Sequence, residues 1–279
     1  MWKGLAHYLH SVYPNDVDVL DEAHSCLHLG QVQFCARLRT LLYLDPSVKR
    51  SSIRMSDHFL PDAQYAIVNR ENYSCASKGG DNDEPHNHND LGSFIFSDKD
   101  GQALCDLGSG LYTKDYFNEH RYETFCNNSF SHSVPIFDGC PQKAGKEYAS
   151  EFSADNGAVT YKLEKAYDLP KLTSFERKFE YNENGITLTD HFKTDCKITE
   201  RFITLRQPEI TSGKIKLGRT TLYFDPAICT PSVSTEKHIK HGYHLDENNN
   251  VITNSDLVYC IDLKLRDGVE KFTAEITAE

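Results

Sequence analysis

The densest run of chemically reactive side chains is KGGDNDEPHNHNDLGSF, residues 78–94. In an extended chain alternate side chains point to the same side, so this spacing would place His86, His88 and Asp90 on one face. Two imidazoles on one side of a strand are a common beginning of a transition-metal site. The run therefore predicts a candidate metal site.

Such a site needs a third ligand from another segment. Asp106 in LCDLGSG and His132 in NSFSHSVPIFDG are candidates, because each lies beside a short apolar run. The spacing alone leaves a second interpretation open, since thirteen histidines will form some His-X-His pairs by chance and loops rich in Asn and Asp are commonly solvated turns. A third is a cupin-like iron oxygenase that uses two histidines and a carboxylate. It is weakened because that pattern expects a glutamate soon after the histidine pair, and NDLGSF has none.

The elements that must position these residues change character along the chain. The first part, to about residue 50, carries apolar side chains at helical intervals, among them Leu5, Leu9 and Val12. The Asp45-Pro46 pair is expected to end the last helix, because proline disfavours helical geometry in the residue before it. Helices of this total length cannot enclose a core of their own. We therefore expect a helical segment over residues 1–55 that packs against something else.

From about residue 64 the apolar period changes to two, and at least ten strand-like runs follow without helical patterns between them. This predicts a mainly β fold, a large antiparallel β-sandwich over residues 56–279 preceded by the short α-helical segment. In the clearest hairpin, TSFERKFEYNENGITLTDHFK, Arg177 shares a face with Phe175 and Phe179. The Asn184-Gly185 pair predicts a type I′ turn, in which both central residues have positive φ.

Charge and cysteine usage limit the partners and the compartment. The formal net charge of −11 disfavours non-specific binding to nucleic acids or anionic membranes. No apolar stretch approaches the length of a membrane span, and the N-terminal residues lack a signal-peptide core. The nine cysteines are scattered, odd in number and without a Cys-X-X-Cys pair, which is typical of free thiols in a reducing compartment. We expect a cytoplasmic protein that binds neither nucleic acid nor membranes.

Three blocks, in the same order, carry a family resemblance: KGGDNDEPHNHNDLGSF, LCDLGSGLYTKDYF and RYETFCNNSFSHSVPIFDG. Together they resemble the heparinase II/III-like family of polysaccharide lyases and their relatives, in which a helical toroid precedes an antiparallel β-sandwich. The resemblance implies that residues 1–55 are a remnant of the toroid and that residues 56–279 are the sandwich. A complete member carries several hundred residues of toroid, so it also implies a missing partner domain and little lyase activity for this chain alone.

The resemblance also implies roles for particular residues. His88, Asp106 and His132 match the ligands of one structural zinc ion, and His86 matches the histidine that faces the substrate cleft. The implied reaction is β-elimination on a uronate-containing acidic polysaccharide. It requires a base for the C5 proton, groups that neutralise the adjacent carboxylate, and an acid for the leaving oxygen.

Further candidates lie near these ligands. Tyr112 and Tyr122 are candidate catalytic residues, because neighbouring charges can shift the pKa of a tyrosine toward the working pH. Asn87 and Arg121 are candidate substrate-binding residues, and Arg121 could hold a carboxylate bidentately.

Structural roles remain open for several of these residues. The two tyrosines could be packing residues, since the chain has 15 of them, and Arg121 could pair with Glu119 or Glu123. Asp90 is expected to brace its loop by accepting backbone N–H groups. For the whole chain, the alternative function is a zinc-stabilised sandwich that binds carbohydrate without catalysis.

Overall fold

The structure is a computed structural model that describes residues 3–14, 38, 42–43, 56–245 and 251–279. The chain divides into two compact units, Met1–Met55 and Ser56–Glu279. In the first unit, helix α1 spans Lys3–Val12. The remaining predicted helical positions, including the Asp45-Pro46 end, lie mostly outside the described residues. Among the described helices, none is long and apolar enough to cross a membrane.

The second unit is built almost entirely from strands. In its described part they are β1 (His58–Leu60), β2 (Tyr65–Asn69), β3 (Ser74–Lys78), β4 (Asp81–Asn82), β5 (Phe94–Asp98), β6 (Gly101–Leu104), β7 (Ile136–Phe137), β8 (Gly145–Ala149), β9 (Glu151–Asp155), β10 (Ala158–Lys162), β11 (Leu172–Tyr181), β12 (Gly185–Thr194), β13 (Ile198–Thr204), β14 (Glu209–Thr211), β15 (Lys214–Leu217), β16 (Thr220–Phe224), β17 (Cys229–Leu245), β18 (Val251–Leu265) and β19 (Lys271–Ala278). Short 3₁₀ helices occur at Asp115–Phe117, Arg121–Glu123, Phe125–Asn127, Ser129–Ser131 and Glu164–Ala166.

These strands form antiparallel sheets. A five-stranded sheet has the order β1-β2-β3-β5-β6, and an eight-stranded sheet has the order β14-β15-β16-β19-β12-β11-β10-β9. A four-stranded sheet, β17-β18-β13-β7, and the pair β4-β8 complete the unit. The predicted mainly β, antiparallel sandwich fold is therefore confirmed.

The three larger sheets share one apolar core. Phe94 of the five-stranded sheet contacts Phe179 of the eight-stranded sheet and Phe202 of the four-stranded sheet, with ring centroids 5.2 Å and 6.3 Å apart. Along β19, Phe272 and Ile276 point into this core while the alternate residues face solvent. Period-two alternation of this kind is what one-sided burial of a strand requires.

The β11–β12 hairpin differs from the predicted type I′ turn. Gly185 is already the first residue of β12, and neither it nor Asn184 has positive φ. The turn is closed instead by Asn182, whose side-chain oxygen accepts the N–H of Asn184 at 2.9 Å. The prediction was wrong because Gly185 serves a close approach, in which a Cβ would collide with the carbonyl oxygen of Ile276 in β19.

The cysteines that the structure describes are all free thiols, and only Cys140 among them is partly exposed. Burial raises the pKa of Cys229 and Cys260 to about 11. These buried thiols are therefore protonated at neutral pH and act as small apolar side chains.

Candidate functional site

Three separate segments bring His88, Asp106 and His132 together. His88 lies in the loop between β4 and β5, Asp106 follows β6, and His132 follows the 3₁₀ helix Ser129–Ser131. One potential ligand atom from each residue lies within 4.8 Å of the others. The structure therefore places His88 of the first motif beside both Asp106 and His132, the two candidates for a further ligand.

His132 is the most enclosed of the three, with a side chain only 1% exposed. Its Nε2 lies 3.2 Å from the carbonyl oxygen of Cys126, and its Nδ1 lies 3.0 Å from Oδ2 of Asp106. Because a carbonyl accepts only from an N–H, Nε2 carries a proton and Nδ1 faces Asp106. A hydrogen bond of this kind from the second ring nitrogen commonly fixes the orientation of a metal-binding histidine.

The charges at this site favour a bound cation. Burial, aided by the positive charge of His132, lowers the pKa of His88 to about 4, so this imidazole is neutral at pH 7. Burial alone would raise the pKa of Asp106, but the hydrogen bond and charge of His132 outweigh it and hold that pKa below its usual range. Burial alone would also lower the pKa of His132, but the carboxylates of Asp90 and Asp106 outweigh it and raise that pKa. A metal ion would compete with a proton for the same nitrogen.

The donor set fits zinc. Two imidazole nitrogens and one carboxylate oxygen are ligands that zinc uses, and three protein ligands leave a further coordination position. His88 makes no hydrogen bond within the described part of the chain, so its ring is free to coordinate. His88, Asp106 and His132 are therefore called the triad below.

Asp90 braces the triad loop, but by different bonds from those expected. Its carboxylate accepts hydrogen bonds from Nζ of Lys78 at 2.8 Å and from Oγ of Ser93 at 3.1 Å. The sequence analysis predicted backbone N–H donors instead. Its Oδ2 also lies 3.7 Å from Nδ1 of His132. The carboxylate therefore supports the triad from behind, and its charge is compensated by Lys78.

His86 departs from the predicted extended conformation. It is exposed, and its φ of 64° places it in the left-handed region. A turn precedes the triad at this point, in which the N–H of Asn87 donates to the carbonyl of Glu84 at 3.2 Å. His88 and Asp90 both approach His132, whereas His86 is separated from them by the turn.

A second cluster joins the predicted substrate-binding residues. Arg121 donates from Nη2 to the carbonyl of Asn87 at 2.9 Å, and the hydroxyl of Tyr122 donates to Oδ1 of the same asparagine at 3.0 Å. The Asn87 side-chain NH₂ is buried and has no partner among the described residues. Since Asn87 precedes His88, this cluster is continuous with the triad.

Arg121 does not pair with either of the two glutamates that the sequence offered. Glu123 is bonded to Nδ1 of His120 at 2.7 Å, and Glu119 lies 3.9 Å from Nε2 of the same histidine. Within the described ranges, Arg121 has no carboxylate partner, and its second guanidinium contact is the carbonyl of Tyr116 at 3.2 Å. The cluster therefore carries, beside the triad, a positive charge that no carboxylate of the described residues pairs with.

Tyr112 does not bond to Asn87 as Tyr122 does, but belongs to a group of contacting aromatic rings. Its ring, 46% exposed, stacks on His241 of β17 with centroids 3.6 Å apart and contacts Tyr116 and Phe117 at 4.7 and 5.0 Å. Tyr116 in turn lies under Arg121, whose guanidinium carbon is 4.9 Å from the ring centroid. Sequence reasoning missed His241, because nothing in its local pattern links a residue of the last hairpin to this loop.

Residues 54–257 match the model of a family described as heparinase II/III-like, C-terminal. No curated protein matches the sequence significantly.

Solved structures of several lyases share the fold. Heparan sulfate lyase HepC from Pedobacter heparinus superposes with a TM-score of 0.63 at 12% identity, over 99% of this chain and 41% of that chain. Heparinase III gives a TM-score of 0.60 at 13% identity over 82% and 37%. Chondroitin AC lyase from Streptomyces coelicolor A3 gives 0.52 at 6% identity over 87% and 35%. At these identities the likeness shows the fold alone, and this chain spans less than half the length of each lyase.

Proposed function

The chain belongs to the heparinase II/III-like, C-terminal family, and from this we propose that it forms the sandwich side of a polysaccharide lyase active site. The proposed substrate is a uronate-containing acidic polysaccharide, cleaved by β-elimination. The observation that carries the proposal is the position of Arg121, which has no carboxylate partner among the described residues and is bonded to the residue next to His88. Such a cation beside a metal-binding triad suits an anionic substrate.

In this proposal His88, Asp106 and His132 hold one zinc ion. Zinc would supply a fixed positive charge and hold the three loops in one geometry. The short distances within the triad and the neutral imidazole of His88 support this assignment.

The substrate carboxylate would be held by Arg121 and the free NH₂ of Asn87. Removal of the C5 proton moves negative charge onto that carboxylate, so donors placed there stabilise the transition state more than the ground state. The Asn87 NH₂ is buried and has no partner among the described residues, and because such a donor is costly, an acceptor brought to it by the substrate would be favourable.

The proton transfers are assigned to His86 and the tyrosines. A base takes the C5 proton, the C–H electron pair forms the C4–C5 double bond, and the C4–O bond breaks as an acid protonates the leaving oxygen. His86 is exposed on its turn and could serve as one of these groups. The hydroxyl of Tyr122 is bonded to Asn87, the residue after His86, whereas Tyr112 contacts Tyr116 of its own loop and His241 of β17.

We assign the remaining acid–base group to a helical toroid, because the solved lyases extend well beyond the part that this chain matches. The isolated chain is then expected to bind a uronate oligosaccharide but to cleave it slowly or not at all. Rapid formation of unsaturated product by the isolated chain would contradict this part of the proposal.

Binding tests the anion site directly. Titration calorimetry with a uronate tetrasaccharide should show affinity at least tenfold weaker for Arg121→Gln than for the unaltered chain, which is the order expected for a lost charged hydrogen bond. Arg219→Gln is the matched control, because Arg219 is an exposed arginine paired with Asp100. A carboxyl-reduced tetrasaccharide should bind weakly to all three proteins. Equal affinity of the two variants for the acidic ligand would refute the assignment of Arg121.

One observation favours the non-catalytic alternative. Among the described residues none hydrogen-bonds to the His86 ring, although acid–base histidines are usually oriented by a partner. The alternative predicts that His86→Ala leaves binding unchanged and that no unsaturated product forms, even when a helical partner is supplied. Product formation that is lost in His86→Ala, with zinc content intact, would identify His86 as catalytic.

A further inference from the structure

A charged cluster lies in the centre of the sandwich core. Arg177 of β11 and Asp190 of β12 are directly opposite each other in the eight-stranded sheet, and Glu200 comes from β13 of the four-stranded sheet. All three residues are 0% exposed. Sequence alternation places Arg177 among the core phenylalanines, but it gives no reason for a cation there.

Every N–H group of the Arg177 side chain has an acceptor. Nε and Nη2 donate to the two Asp190 oxygens at 2.9 and 2.6 Å, and Nη2 also donates to Glu200 at 3.1 Å. Nη1 donates to the backbone carbonyls of Gly92 at 3.0 Å and Ser133 at 2.9 Å. The guanidinium is therefore fully used, and its orientation is fixed by five bonds.

The two carbonyls belong to the segments that carry the triad histidines. Gly92 closes the loop that holds His88, and Ser133 is the residue after His132. One NH₂ group of a buried side chain thus joins the two loops. Neither carbonyl can move without breaking a charge-assisted hydrogen bond inside the core.

The third triad residue is joined to the same framework through β13. The N–H of Ile203 donates to Oγ of Ser133 at 3.1 Å, and its carbonyl accepts the N–H of Cys105 at 2.9 Å. Cys105 precedes Asp106. Ser133, bonded to both Arg177 and Ile203, is therefore the common point of the network.

Stability alone does not account for the cluster. Replacing a buried ion cluster by apolar residues of similar volume is often neutral or stabilising, because desolvation offsets the attraction. Burial and the nearby Asp190 charge raise the pKa of Glu200 well above its usual range, against the opposing effect of Arg177. The cluster sets one guanidinium against two carboxyl groups, and it also makes two directional bonds, those to the backbone carbonyls of Gly92 and Ser133.

We infer that Arg177 is the positioning residue of the triad, fixing the loop of His88 against the loop of His132 through its bonds to Gly92 and Ser133. The inference rests on the proposed zinc site for its functional meaning. The bonds to the two loops exist independently of any metal.

Arg177→Lys is the variant that tests it. Lysine keeps the charge, but its compact ammonium lacks the planar fork that reaches two carbonyls and a carboxylate together. Arg206→Lys is the matched control, since Arg206 also holds a buried aspartate, Asp98, while donating to two carbonyls, those of Leu217 and Gly101. None of these partners lies in the loops that carry the triad residues.

The first measurement uses cobalt(II) in place of zinc. Arg177→Lys should bind cobalt and zinc about 10- to 100-fold more weakly, as for other residues that orient metal ligands, and should change the cobalt d–d spectrum. Arg206→Lys should keep the affinity and the spectrum of the unaltered chain. If Arg177→Lys merely lowers thermal stability and leaves the cobalt spectrum unchanged, its role is structural and the inference is wrong.

The second measurement is amide hydrogen exchange in the metal-free protein. Arg177→Lys should speed exchange in residues 86–93 and 131–134 while β12 and β19 stay protected. Unaltered exchange in both segments would overturn the inference.

If the unaltered chain binds neither metal, the proposed zinc site fails and exchange alone decides the role of Arg177. If Arg177→Lys does not fold, Arg177→Gln combined with Asp190→Asn removes cation and anion together and is measured in the same way.

Discussion

At the scale of single residues, the triad is made of unequal partners. His132 is enclosed and held by the Cys126 carbonyl, whereas the Asp106 side chain is 31% exposed and accepts the N–H of Gly108 at 2.7 Å. Asp106 is thus the ligand candidate that can be changed with least disturbance to the core. It offers the cleanest test of metal binding.

We predict that Asp106→Asn lowers zinc affinity about 100-fold or more, because it removes an anionic ligand and loss of a mere supporting group already costs 10- to 100-fold. Competition with a chromogenic chelator measures the change. Asp100→Asn is the control and should bind zinc normally, because Asp100 is an exposed carboxylate paired with Arg219. Equal affinities in the two variants would exclude Asp106 as a ligand.

Asp98 gives a pH-dependent prediction away from the triad. Burial alone would raise its pKa, but hydrogen bonds from Arg206 at 2.6 and 2.8 Å and from Thr220 at 2.7 Å outweigh it and hold the pKa below its ordinary value. Because the folded pKa is lower than the unfolded one, ionised Asp98 stabilises the fold above about pH 4. That contribution is lost as the pH falls through the folded pKa.

Asp98→Asn should therefore reduce the free energy of unfolding by about 1–3 kcal/mol at pH 7, and the difference should shrink below about pH 4. Urea unfolding at both pH values measures it. A deficit that is constant across this range would show that the lost interaction is not the ionised carboxylate.

At the scale of elements, the period of the strands could be predicted, because a strand buried on one face carries apolar residues at alternate positions. Phe175 and Phe179 lie on the buried face of β11 as the alternation indicates, and Arg177 lies between them. The hydrogen-bond partners of Arg177 could not be predicted, since most of them come from loops and strands that are distant in sequence. Gly185 was misassigned for the same reason, because a local turn pattern carries no information about the carbonyl of Ile276.

Among the site residues, His88 and the third-ligand candidates could be found from residue types and motif order. The turn at His86 could not, because the alternation argument assumes an extended chain and the Glu84–Asn87 hydrogen bond interrupts it. Nor could the sequence show that Glu123 pairs with His120 and that Arg121 has no carboxylate partner in the described part of the chain. Such competition between neighbouring charges is decided by three-dimensional geometry.

The close approach at Gly185 makes a prediction for the β12–β19 pair. Gly185→Ala should lower the free energy of unfolding by about 1–3 kcal/mol, because the added methyl must push β19 away or bend β12. Gly268→Ala is the control, with positive φ but no atom within 4 Å of the added Cβ, so it should show only a backbone cost of about 1 kcal/mol. Urea unfolding of both variants gives the comparison, and a Gly185→Ala protein as stable as the unaltered chain would contradict it.

At the scale of the whole molecule, the triad lies where loops from different sheets meet. A ligand that binds only the folded state adds stability, about 2.7 kcal/mol when its concentration is a hundred times Kd. We predict that zinc raises the melting temperature of the unaltered chain and that a chelator reverses the rise. His88→Ala should lose this effect and His86→Ala should keep it, since His86 lies outside the triad. Thermal unfolding with and without zinc measures the effect, and an equal response of both variants would argue against zinc binding by the triad.

The β17–β18 hairpin is attached to the loop that follows Asp106. The N–H of Leu111 donates to Ile239 at 2.9 Å, and the N–H of His241 donates to Ser109 at 3.1 Å. Because these bonds make Ser109–Leu111 a short continuation of the β17 edge, a displacement of this segment when the triad binds a ligand would also displace β17. A fluorescent group on the exposed part of β17 would then sense occupancy of the site from a distance, without touching any residue that binds the ligand.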